Sequence, residues 1–577
     1  RIRAIEIDPS DNVHQVQLLL DYLYDSDLDS NQVRQLSETY AQLILDNSPQ
    51  IPPYNPPVTK HKKIRLGFIS PDFKAHSVCY LFIPLLANID RDRFEIYSFS
   101  LAKASREDAI TNRIRSFSDH FYRLTDIDDP LDAIATIRGC NLHFLVDLAG
   151  HSPGSGLNLL IHRLAETQAS MIGYTRTTGF PNIDYYLACS NLFAESEEQS
   201  HCENYSEAIG MLDPFVVAYR PHMPRPFHRY QRQYFVRETP AVSNGYITFG
   251  CCNTLARIGE KVLDTWASIL RDLSDAKLLI EVPVGDSLTE AFVRERFIEH
   301  GIRDEQLVLK SRETKNQYLT YHEIDIALNP FPSSGGNTTL DTLWMGVPLI
   351  TLRGSEPRER VGSAILSELG LEMLVANDLA AYILKAKYLA SNIELLGNLR
   401  AGMRRRLCES SILDEAGRAR SFEGFVLGSI ERGQNPVSGK IVTFPPAKHL
   451  PRSALKIFSS GGRSYTLPQA IERLNNILRG FQGGKINYSE VIPFVEDILY
   501  SDPFNADAVA ALATVERVIG SKTLAYDYLI SAIDLDRDRK GYYELLLLWC
   551  REDGNEGLLA VTIKQFHSRF NKRASIE

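Results

Sequence analysis

Residues 325–354 read DIALNPFPSSGGNTTLDTLWMGVPLITLRG, and this stretch decides the predicted fold. A short apolar segment, 325–328, precedes a turn of proline, serine and glycine, and a second apolar segment, 348–351, follows a helix-forming stretch. A strand, a helix and a second strand in this order are typical of a parallel sheet covered by helices. Gly335 and Gly336 let the backbone approach a ligand closely just where the predicted helix begins.

The same alternation extends on both sides of that stretch. Apolar segments of strand length alternate with helical patterns over residues 64–147 and again over 247–432. Between them, residues 218–242 are rich in His, Arg, Pro and Tyr and read as a connection. The sequence therefore predicts an α/β protein with two Rossmann-like domains. Ligands of such sheets bind beyond the carboxyl ends of the strands, so the predicted site is the cleft between the domains.

The predicted division of the chain has four parts. Residues 1–60 are a helical preamble with a proline-rich linker, 61–240 and 241–435 are the two Rossmann-like domains, and 436–577 are a loop-like crossing followed by an all-helical region. Within the last part, residues 503–536 resemble one tetratricopeptide-type helical hairpin. A plain helical cap is the alternative, because a single repeat unit needs neighbours to bury its apolar faces.

Composition excludes several classes of protein. The chain has 577 residues, of which 44% are hydrophobic and 23% charged, with a net charge of −9. This composition is that of a globular protein, and the acidic balance disfavours a dedicated nucleic-acid binder. No apolar run is long enough to span a membrane, and no signal peptide opens the chain. The eight cysteines form no CxxC or Cys/His zinc pattern. A cytoplasmic protein with reduced thiols and no metal site is expected.

The segment Gly335–Asp341 is the first candidate ligand site. The free N–H groups and the dipole of a helix start suit a diphosphate, and Asn337, Thr338 and Thr339 add further donors. Asp341 lies one turn into the helix, where its carboxylate could accept from ribose hydroxyls. The alternative is a capped helix with a flexible lead-in. The segment lacks the lysine of a P-loop, which disfavours ATP hydrolysis of that type.

Three further candidates follow predicted strands. His76 could serve as a general base or donate to a phosphate, although a surface histidine in a capping loop is the alternative. Asp147, near His151, could act as a base or orient one, and an Asx-turn is equally consistent. Arg257, after Thr254, could offer its guanidinium to a departing diphosphate, or could be a solvated residue at a helix start. Together with Gly335–Asp341, these positions outline one cleft.

Six segments of the chain resemble one known family. They are IRLGFISPDFKAHSV (64–78), RDRFEIYSFSL (91–101), LVDLAGHSPGSGLNLL (145–160), IGYTRTTGFPNIDYYL (172–187), ITFGCCNTLARI (247–258) and the stretch 325–354. They resemble the catalytic region of the O-GlcNAc transferase/SPINDLY family, particularly its bacterial members. The resemblance implies a GT-B fold, inversion at the sugar carbon, no required metal or cofactor, and a UDP-sugar or GDP-sugar donor. It also implies Ser or Thr hydroxyls of proteins as acceptors, while a neighbouring branch glucosylates Asn side chains.

The resemblance also implies roles for single residues. His76 matches a histidine near the reaction centre, Thr338 matches the diphosphate-binding threonine, and Asp341 matches the ribose-binding aspartate. Arg257 stands where the family has a lysine that neutralises the departing diphosphate. Gln317 falls where relatives often carry a histidine that stacks on the base.

Other departures from the family pattern fall in three regions. Gly336 and Asn337 stand where the family often has a histidine or a threonine. Residues 163–166 lose both prolines of the usual run, and 173–176 replace a loop that contains proline. These changes leave the expected fold intact and bear on the choice of donor base and sugar.

The predicted function is an inverting, metal-independent transfer of GlcNAc or another hexose from a nucleotide-sugar, UDP-linked, to Ser or Thr of a protein. The predicted catalytic residues are His76, Asp147 and Arg257. The predicted nucleotide-sugar-binding residues are Gly335, Gly336, Asn337, Thr338, Thr339, Asp341, Thr254 and Gln317. The predicted partners are a protein acceptor and the nucleotide-sugar, with no nucleic acid, and a homo-oligomer is left open. The alternatives are an Asn-directed glucosyltransferase of the same fold, a transferase acting on a glycan or lipid, and an interaction scaffold with a decayed site.

Overall fold

The computed structural model describes residues 19, 30–55, 62–193, 202–283, 287–312, 317–433, 438–459 and 462–571. The chain divides into two compact units. The first combines Arg1–Pro221 with Val236–His449, and the second combines His222–Phe235 with Leu450–Glu577. None of the helices within these described ranges is long and apolar enough to cross a membrane.

The first sheet of the first unit has eight parallel strands in the order β14-β7-β6-β5-β4-β1-β2-β3. Its strands are β1 (Ile64–Ser70), β2 (Phe94–Ser100), β3 (His120–Arg123), β4 (Phe144–Asp147), β5 (Thr167–Ser170), β6 (Tyr185–Ala188), β7 (Ala208–Met211) and β14 (Ile441–Thr443). The last five residues of β1 are buried, as expected for a central parallel strand covered on both faces.

The second sheet has six parallel strands in the order β10-β9-β8-β11-β12-β13. Its strands are β8 (Thr248–Cys251), β9 (Lys277–Val282), β10 (Leu307–Ser311), β11 (Ile326–Leu328), β12 (Leu349–Leu352) and β13 (Val375–Ala376). The two parallel sheets confirm the predicted α/β class with two Rossmann-like domains.

Helices precede and cover the two sheets. They are α1 (Ser30–Asp46), α2 (Ser77–Asn88), α3 (Ala109–Phe117), α4 (Pro130–Gly139), α5 (Leu157–Leu160), α6 (Ala241–Asn244), α7 (Glu260–Asp272), α8 (Ser287–Glu299), α9 (Asn337–Trp344), α10 (Val361–Glu368), α11 (Leu379–Ala390), α12 (Ile393–Glu409) and α13 (Glu415–Arg432). α13 returns to the first sheet, where the ring of Phe422 lies 6.1 Å from that of Phe68 in β1. It also contacts the end of α2, since the Nδ2 of Asn88 donates to Glu415 at 3.1 Å.

The second unit is built on three consecutive helical pairs. Its helices are α14 (Leu467–Gln482), α15 (Tyr488–Ser501), α16 (Ala506–Ile519), α17 (Lys522–Leu535), α18 (Lys540–Asp553) and α19 (Glu556–Phe566), and a two-stranded antiparallel sheet, β15 (Lys456–Phe458) with β16 (Ser464–Thr466), precedes them. All three pairs contribute to one apolar core. The predicted hairpin at 503–536 corresponds to α16 and α17, and helices on both sides of it share that core.

Part of the connection between the two Rossmann-like domains packs into this helical unit. Phe227 and Tyr230 are buried in its core. The Nε2 of Gln231 donates to the hydroxyl of Tyr528 at 2.9 Å. The backbone N–H of Arg232 donates to Asp527 at 3.1 Å. Phe227 and Tyr230 of the connection are therefore core residues of the second unit, which the sequence did not indicate.

The structure differs from the predicted elements at two places. Residues 436–466, predicted as a loop-like crossing, include β14, β15 and β16. The strands β5, β6 and β7 were not predicted either. Each of these strands has only three or four residues, which is too short for a periodic pattern to distinguish from a turn. Their pairing with one another and with β4, such as that of β14 with β7, comes from tertiary contacts.

Candidate functional site

The glycine-containing loop before α9 is held in place by Asn329. This asparagine follows β11 directly and is fully buried. Its Oδ1 accepts the N–H of Gly335 at 3.1 Å, and its Nδ2 donates to Thr351 at 3.1 Å. Asn329 therefore links the loop to the neighbouring strand β12. The sequence did not single out Asn329. Its position at the carboxyl end of a strand could have indicated a role at the site.

The two glycines before α9 have different surroundings. A Cβ on Gly335 would lie 2.3 Å from the Oδ1 of Asn253, so a larger residue requires that side chain to move. A Cβ on Gly336 would meet only the Cγ1 of Val361, at 3.9 Å. Gly336 occupies the N-cap position and has no side chain to cap the helix. The first turn of α9 thus has no side-chain cap from its N-cap residue, which is compatible with an anion site at the helix start.

The two threonines of the segment face different surroundings. Thr339 is fully buried, and its hydroxyl donates to the carbonyl of Gly335 at 2.6 Å. Thr338 is half-buried on the first turn of α9. The hydroxyl of Thr339 therefore stabilises the loop itself, and Thr338 is the threonine positioned to reach a ligand.

Asp341 is buried, and its carboxylate accepts hydrogen bonds from the protein itself. It is 5% exposed, and its Oδ1 accepts the hydroxyls of Tyr219 and Tyr318, each at 2.6 Å. Tyr219 precedes the segment that joins the second unit, and Tyr318 lies in the 3₁₀ helix Gln317–Glu323. The side chain of Gln317 lies outside the described part of the structure.

Arg257 lies against the start of the glycine-containing loop. Its Nη1 donates to the carbonyl and the hydroxyl of Ser333, at 3.1 and 2.5 Å, and to the carbonyl of Ser334 at 2.8 Å. Thr254 is exposed at the N-cap of the 3₁₀ helix Leu255–Arg257. Arg257 is therefore more than a solvated residue at a helix start. It follows β8 and links this part of the chain to the loop before α9 through hydrogen bonds.

His76 lies at the N-cap of α2. Its Nδ1 accepts the N–H of Val78 at 3.4 Å and lies 3.5 Å from a carboxylate oxygen of Asp72. Burial lowers the pKa of His76, and the charge of Asp72 acts in the opposite direction. The lowered pKa favours a neutral imidazole at neutral pH, which is the form that can exchange a proton with a substrate.

The starts of α2 and α9 contact each other. The Nδ2 of Asn337 donates to the carbonyl of Ser77 at 2.9 Å. His76, the N-cap of α2, and the glycine-containing loop before α9 therefore lie on the two sides of this contact. A second contact of this kind joins Arg176 and Glu356, at 2.9 Å.

The geometry of Asp147 supports the Asx-turn rather than a base. It is 1% exposed, and its carboxylate accepts the N–H groups of Ala149 at 3.1 Å and Gly150 at 2.7 Å. The hydroxyl of Ser170 donates to it at 2.8 Å. Burial raises the pKa of Asp147, and these three donors oppose the rise. A carboxylate enclosed in this way stabilises the loop after β4 and does not reach a substrate.

His151 is likewise enclosed. It is fully buried, and its Nε2 lies 2.7 Å from the carbonyl of Thr178. The rings of Tyr40 and Tyr174 pack against its imidazole edge to face. Burial lowers the pKa of His151 to about 4. The histidine is therefore neutral at physiological pH and belongs to the core rather than to the cleft.

Cysteines and acidic residues add no further centre to the described ranges. No group of three or more His, Cys, Asp or Glu residues there has an arrangement that could hold a metal ion. Seven of the eight cysteines are buried free thiols, and Cys408 is exposed. Cys408 is the exception to the expectation of buried thiols.

Comparison with known proteins identifies the relatives of this chain. The model of glycosyl transferase family 41 matches residues 16–229 and 231–420. A rice protein named as a probable UDP-N-acetylglucosamine–peptide N-acetylglucosaminyltransferase SPINDLY is 30% identical over 434 residues, which are 73% of this chain and 45% of that protein. The tomato SPINDLY protein is 29% identical over 430 residues, which are 73% of this chain and 44% of that protein. The chain thus spans less than half the length of these curated relatives.

A solved structure supports the same relationship. The structure of an O-GlcNAc transferase mutant from Thermobaculum terrenum matches with a TM-score of 0.66 and 28% identity, covering 74% of this chain and 80% of that one. Together with the two parallel sheets, this match establishes the GT-B fold. The family model spans both Rossmann-like domains. The chain therefore belongs to glycosyl transferase family 41 and has an O-GlcNAc transferase-like catalytic region.

Proposed function

We propose that this chain is an inverting, metal-independent glycosyltransferase that moves GlcNAc or another hexose from a UDP-linked donor to Ser or Thr hydroxyls of a protein. One observation carries the proposal: the starts of α2 and α9 face each other, with His76 on one side and a glycine-containing loop contacted by Arg257 on the other. The printed names of the curated relatives, which are UDP-N-acetylglucosamine–peptide N-acetylglucosaminyltransferases, support the same donor and acceptor.

The donor diphosphate binds at the start of α9. The first N–H groups of the helix and its dipole attract the two phosphates. Thr338 donates a hydroxyl, and Asp341 accepts from the ribose. Arg257 supplies a positive charge beside the loop, where charge accumulates as the diphosphate departs. Fixed positive charges and helix N–H groups give this stabilisation without a metal ion.

The acceptor hydroxyl approaches from the side of α2. Its oxygen forms a bond to the anomeric carbon while the bond from that carbon to the diphosphate oxygen breaks, which inverts the configuration. The hydroxyl proton passes to the Nε2 of His76. This requires the tautomer in which Nδ1 carries a proton toward Asp72, because an Nδ1 that accepts from Val78 places the proton on Nε2.

Nucleotide binding provides the first test. Thermal shift measurements with UDP, GDP and their sugars should raise the melting temperature in the uridine series, because a ligand that binds only the native state stabilises it. A rise in melting temperature with GDP and GDP-sugars alone would mean that the donor carries guanine rather than uracil. The absence of any shift would favour the scaffold alternative, which the departures at Arg257 and Gln317 suggest.

The role of Arg257 provides a sharper test. Arg257→Met should lower kcat roughly 100-fold or more, as is typical when a stabilising donor at a developing charge is removed. Arg257→Lys keeps the charge and should retain part of the activity. Arg405→Met is the matched control, because the side chain of Arg405 is 80% exposed. Equal activity of the Arg257→Met and Arg405→Met variants would refute the role of Arg257.

The acceptor is identified by intact-mass analysis. Incubation of a co-expressed acceptor with the donor should add one sugar mass, and fragmentation should place it on Ser or Thr. A sugar mapped to Asn would support the Asn-directed alternative of the same fold. Transfer to a glycan or lipid but to no protein would support the remaining alternative.

A further inference from the structure

The loop that joins β1 to α2 brings a lysine, an aspartate and a histidine into contact. The Nζ of Lys74 donates to the Oδ1 of Asp72 and to the carbonyl of Pro71, each at 3.0 Å. The Oδ2 of the same aspartate lies 3.5 Å from the Nδ1 of His76. Asp72 therefore lies between the ammonium group and the imidazole, with one carboxylate oxygen beside each.

Contacts that do not involve the ammonium group fix the backbone of this loop. The N–H of Asp72 donates to the hydroxyl of Ser70 at 3.0 Å, and its carbonyl accepts from the Sγ of Cys79 at 2.8 Å. The next residue, Phe73, is fully buried. Removal of the Lys74 side chain should therefore affect the carboxylate and the imidazole rather than the course of the chain.

The charges around His76 act in opposite directions. Burial lowers its pKa most, the charge of Asp72 raises it, and the charge of Lys74 lowers it. A third charged group, Asp108 at the N-cap of α3, uses its carboxylate to accept backbone N–H groups of the loop and of α3. From α9, the neutral side chain of Asn337 contacts the start of α2. Lys74 thus offsets the charge that Asp72 places beside the imidazole.

The position of the ring proton decides whether His76 can act as a base. When Nδ1 accepts from the N–H of Val78, at 3.4 Å, the proton is on Nε2, which then cannot accept another. When Nδ1 carries the proton, it can donate to Asp72, and Nε2 keeps its lone pair. A carboxylate fixed beside Nδ1 favours this second tautomer. The distance of 3.5 Å is compatible with this role, because catalytic hydrogen bonds often shorten only when the substrate binds.

We propose that Lys74 is a positioning residue for proton transfer, which fixes Asp72 beside the Nδ1 of His76 and balances its charge. The acceptor hydroxyl gives its proton to Nε2 while its oxygen bonds to the anomeric carbon, and the diphosphate leaves with the electron pair of the broken bond. Asp72 stabilises the imidazolium that forms. The inference rests on the proposed function, since it presupposes that His76 is the base.

The pH dependence of kcat in the full chain provides the test. In Lys74→Met the imidazole loses a repelling charge and stays protonated to higher pH, so the acidic limb of the profile should shift to higher pH. On the plateau above this limb, kcat should be roughly three- to tenfold lower, because the aspartate is less well positioned, while KM for the nucleotide-sugar is unchanged. Lys74→Arg keeps the charge and should return the acidic limb to its wild-type position.

A second lysine serves as the matched control. Lys387 also pairs with an aspartate, Asp272, and its side chain is 27% exposed, compared with 22% for Lys74. Lys387→Met should show the wild-type profile. An acidic limb at the same pH in Lys74→Met and Lys387→Met would refute the role of Lys74.

NMR titration of the chain with isotope-labelled histidine measures the same effect without substrate, and His76→Gln identifies the signal. The neutral ring should carry its proton on Nδ1, and His76 should titrate at higher pH in Lys74→Met. An active chain with the proton on Nε2, or with the same titration in both proteins, would overturn this inference alone. A chain that transfers no sugar would overturn the proposed function and the inference with it.

Discussion

The side chain of Asn337, the first residue of α9, donates to the backbone carbonyl of Ser77, the first residue of α2, at 2.9 Å. This bond joins the starts of the two helices. Asn337 is also a position where the family resemblance leads us to expect a histidine or a threonine. In the proposed function, Asn337 thus links the donor side of the site to the side of α2.

Replacement of Asn337 should loosen this contact. In Asn337→Ala, hydrogen exchange at the starts of both helices should be roughly two- to tenfold faster, since a neutral hydrogen bond contributes about 0.5–1.5 kcal/mol. Mass spectrometry of peptides covering 77–80 and 337–340 would measure it. Asn112→Ala is the control, because Asn112 is exposed and its Oδ1 accepts from Arg115 of the same helix at 2.6 Å. Unchanged exchange at 77–80 would show that the bond does not hold the two sides together.

The two glycines before α9 should differ in their tolerance of alanine. Gly335→Ala places a methyl group against Asn253 and should destabilise the chain by about 1–3 kcal/mol, as overpacking in a tight site does. Gly336→Ala would make only an ordinary contact with Val361, at 3.9 Å, and should leave stability nearly unchanged. Scanning calorimetry of both variants would measure the difference. Equal losses for the two would contradict the close approach of Asn253 to Gly335.

Stability should depend on pH through His151. Burial lowers its pKa to about 4 in the folded chain, whereas an unfolded histidine titrates near 6.5. The unfolded state therefore binds the proton more readily, so this contribution to stability is complete above pH ~6.5 and is lost as the pH falls toward 4. The difference amounts to about 3 kcal/mol.

A variant isolates this contribution from that of the many carboxylates. His151→Gln keeps a side-chain donor for Thr178 but does not titrate. Urea denaturation at pH 7 and pH 4.5 should show a smaller loss of stability for the variant than for the wild type. The same loss in both proteins would mean that His151 is not buried as a neutral ring.

Removal of Phe227 should destabilise the second unit. Its ring packs against Tyr528, with centroids 6.2 Å apart. Phe227→Ala should therefore cost about 3–5 kcal/mol, the usual range for loss of a buried aromatic side chain. Hydrogen exchange in α16 and α17 would report the effect, with Leu548→Ala as the control because Leu548 is 50% exposed. Protection that stays at the wild-type level would place Phe227 outside the core.

The sequence by itself indicated the α/β class, the central strands of both sheets and the strand ends at which a ligand is proposed to bind. Long apolar strands separated by helical periods give that information, because parallel strands buried on both faces must be apolar. It also indicated His76, Arg257 and Gly335–Asp341 as residues at strand ends. The roles that the family resemblance implies for these residues in catalysis and donor binding are proposals.

Only the tertiary structure decided which polar residues face the cleft. Asp147 and His151 follow a strand as His76 does, yet local donors and aromatic rings enclose them. Whether a side chain at a strand end points outward depends on groups distant in sequence, and no local pattern encodes those. The same reason explains Tyr219 and Tyr318, whose 98 intervening residues give no hint that their hydroxyls converge on Asp341.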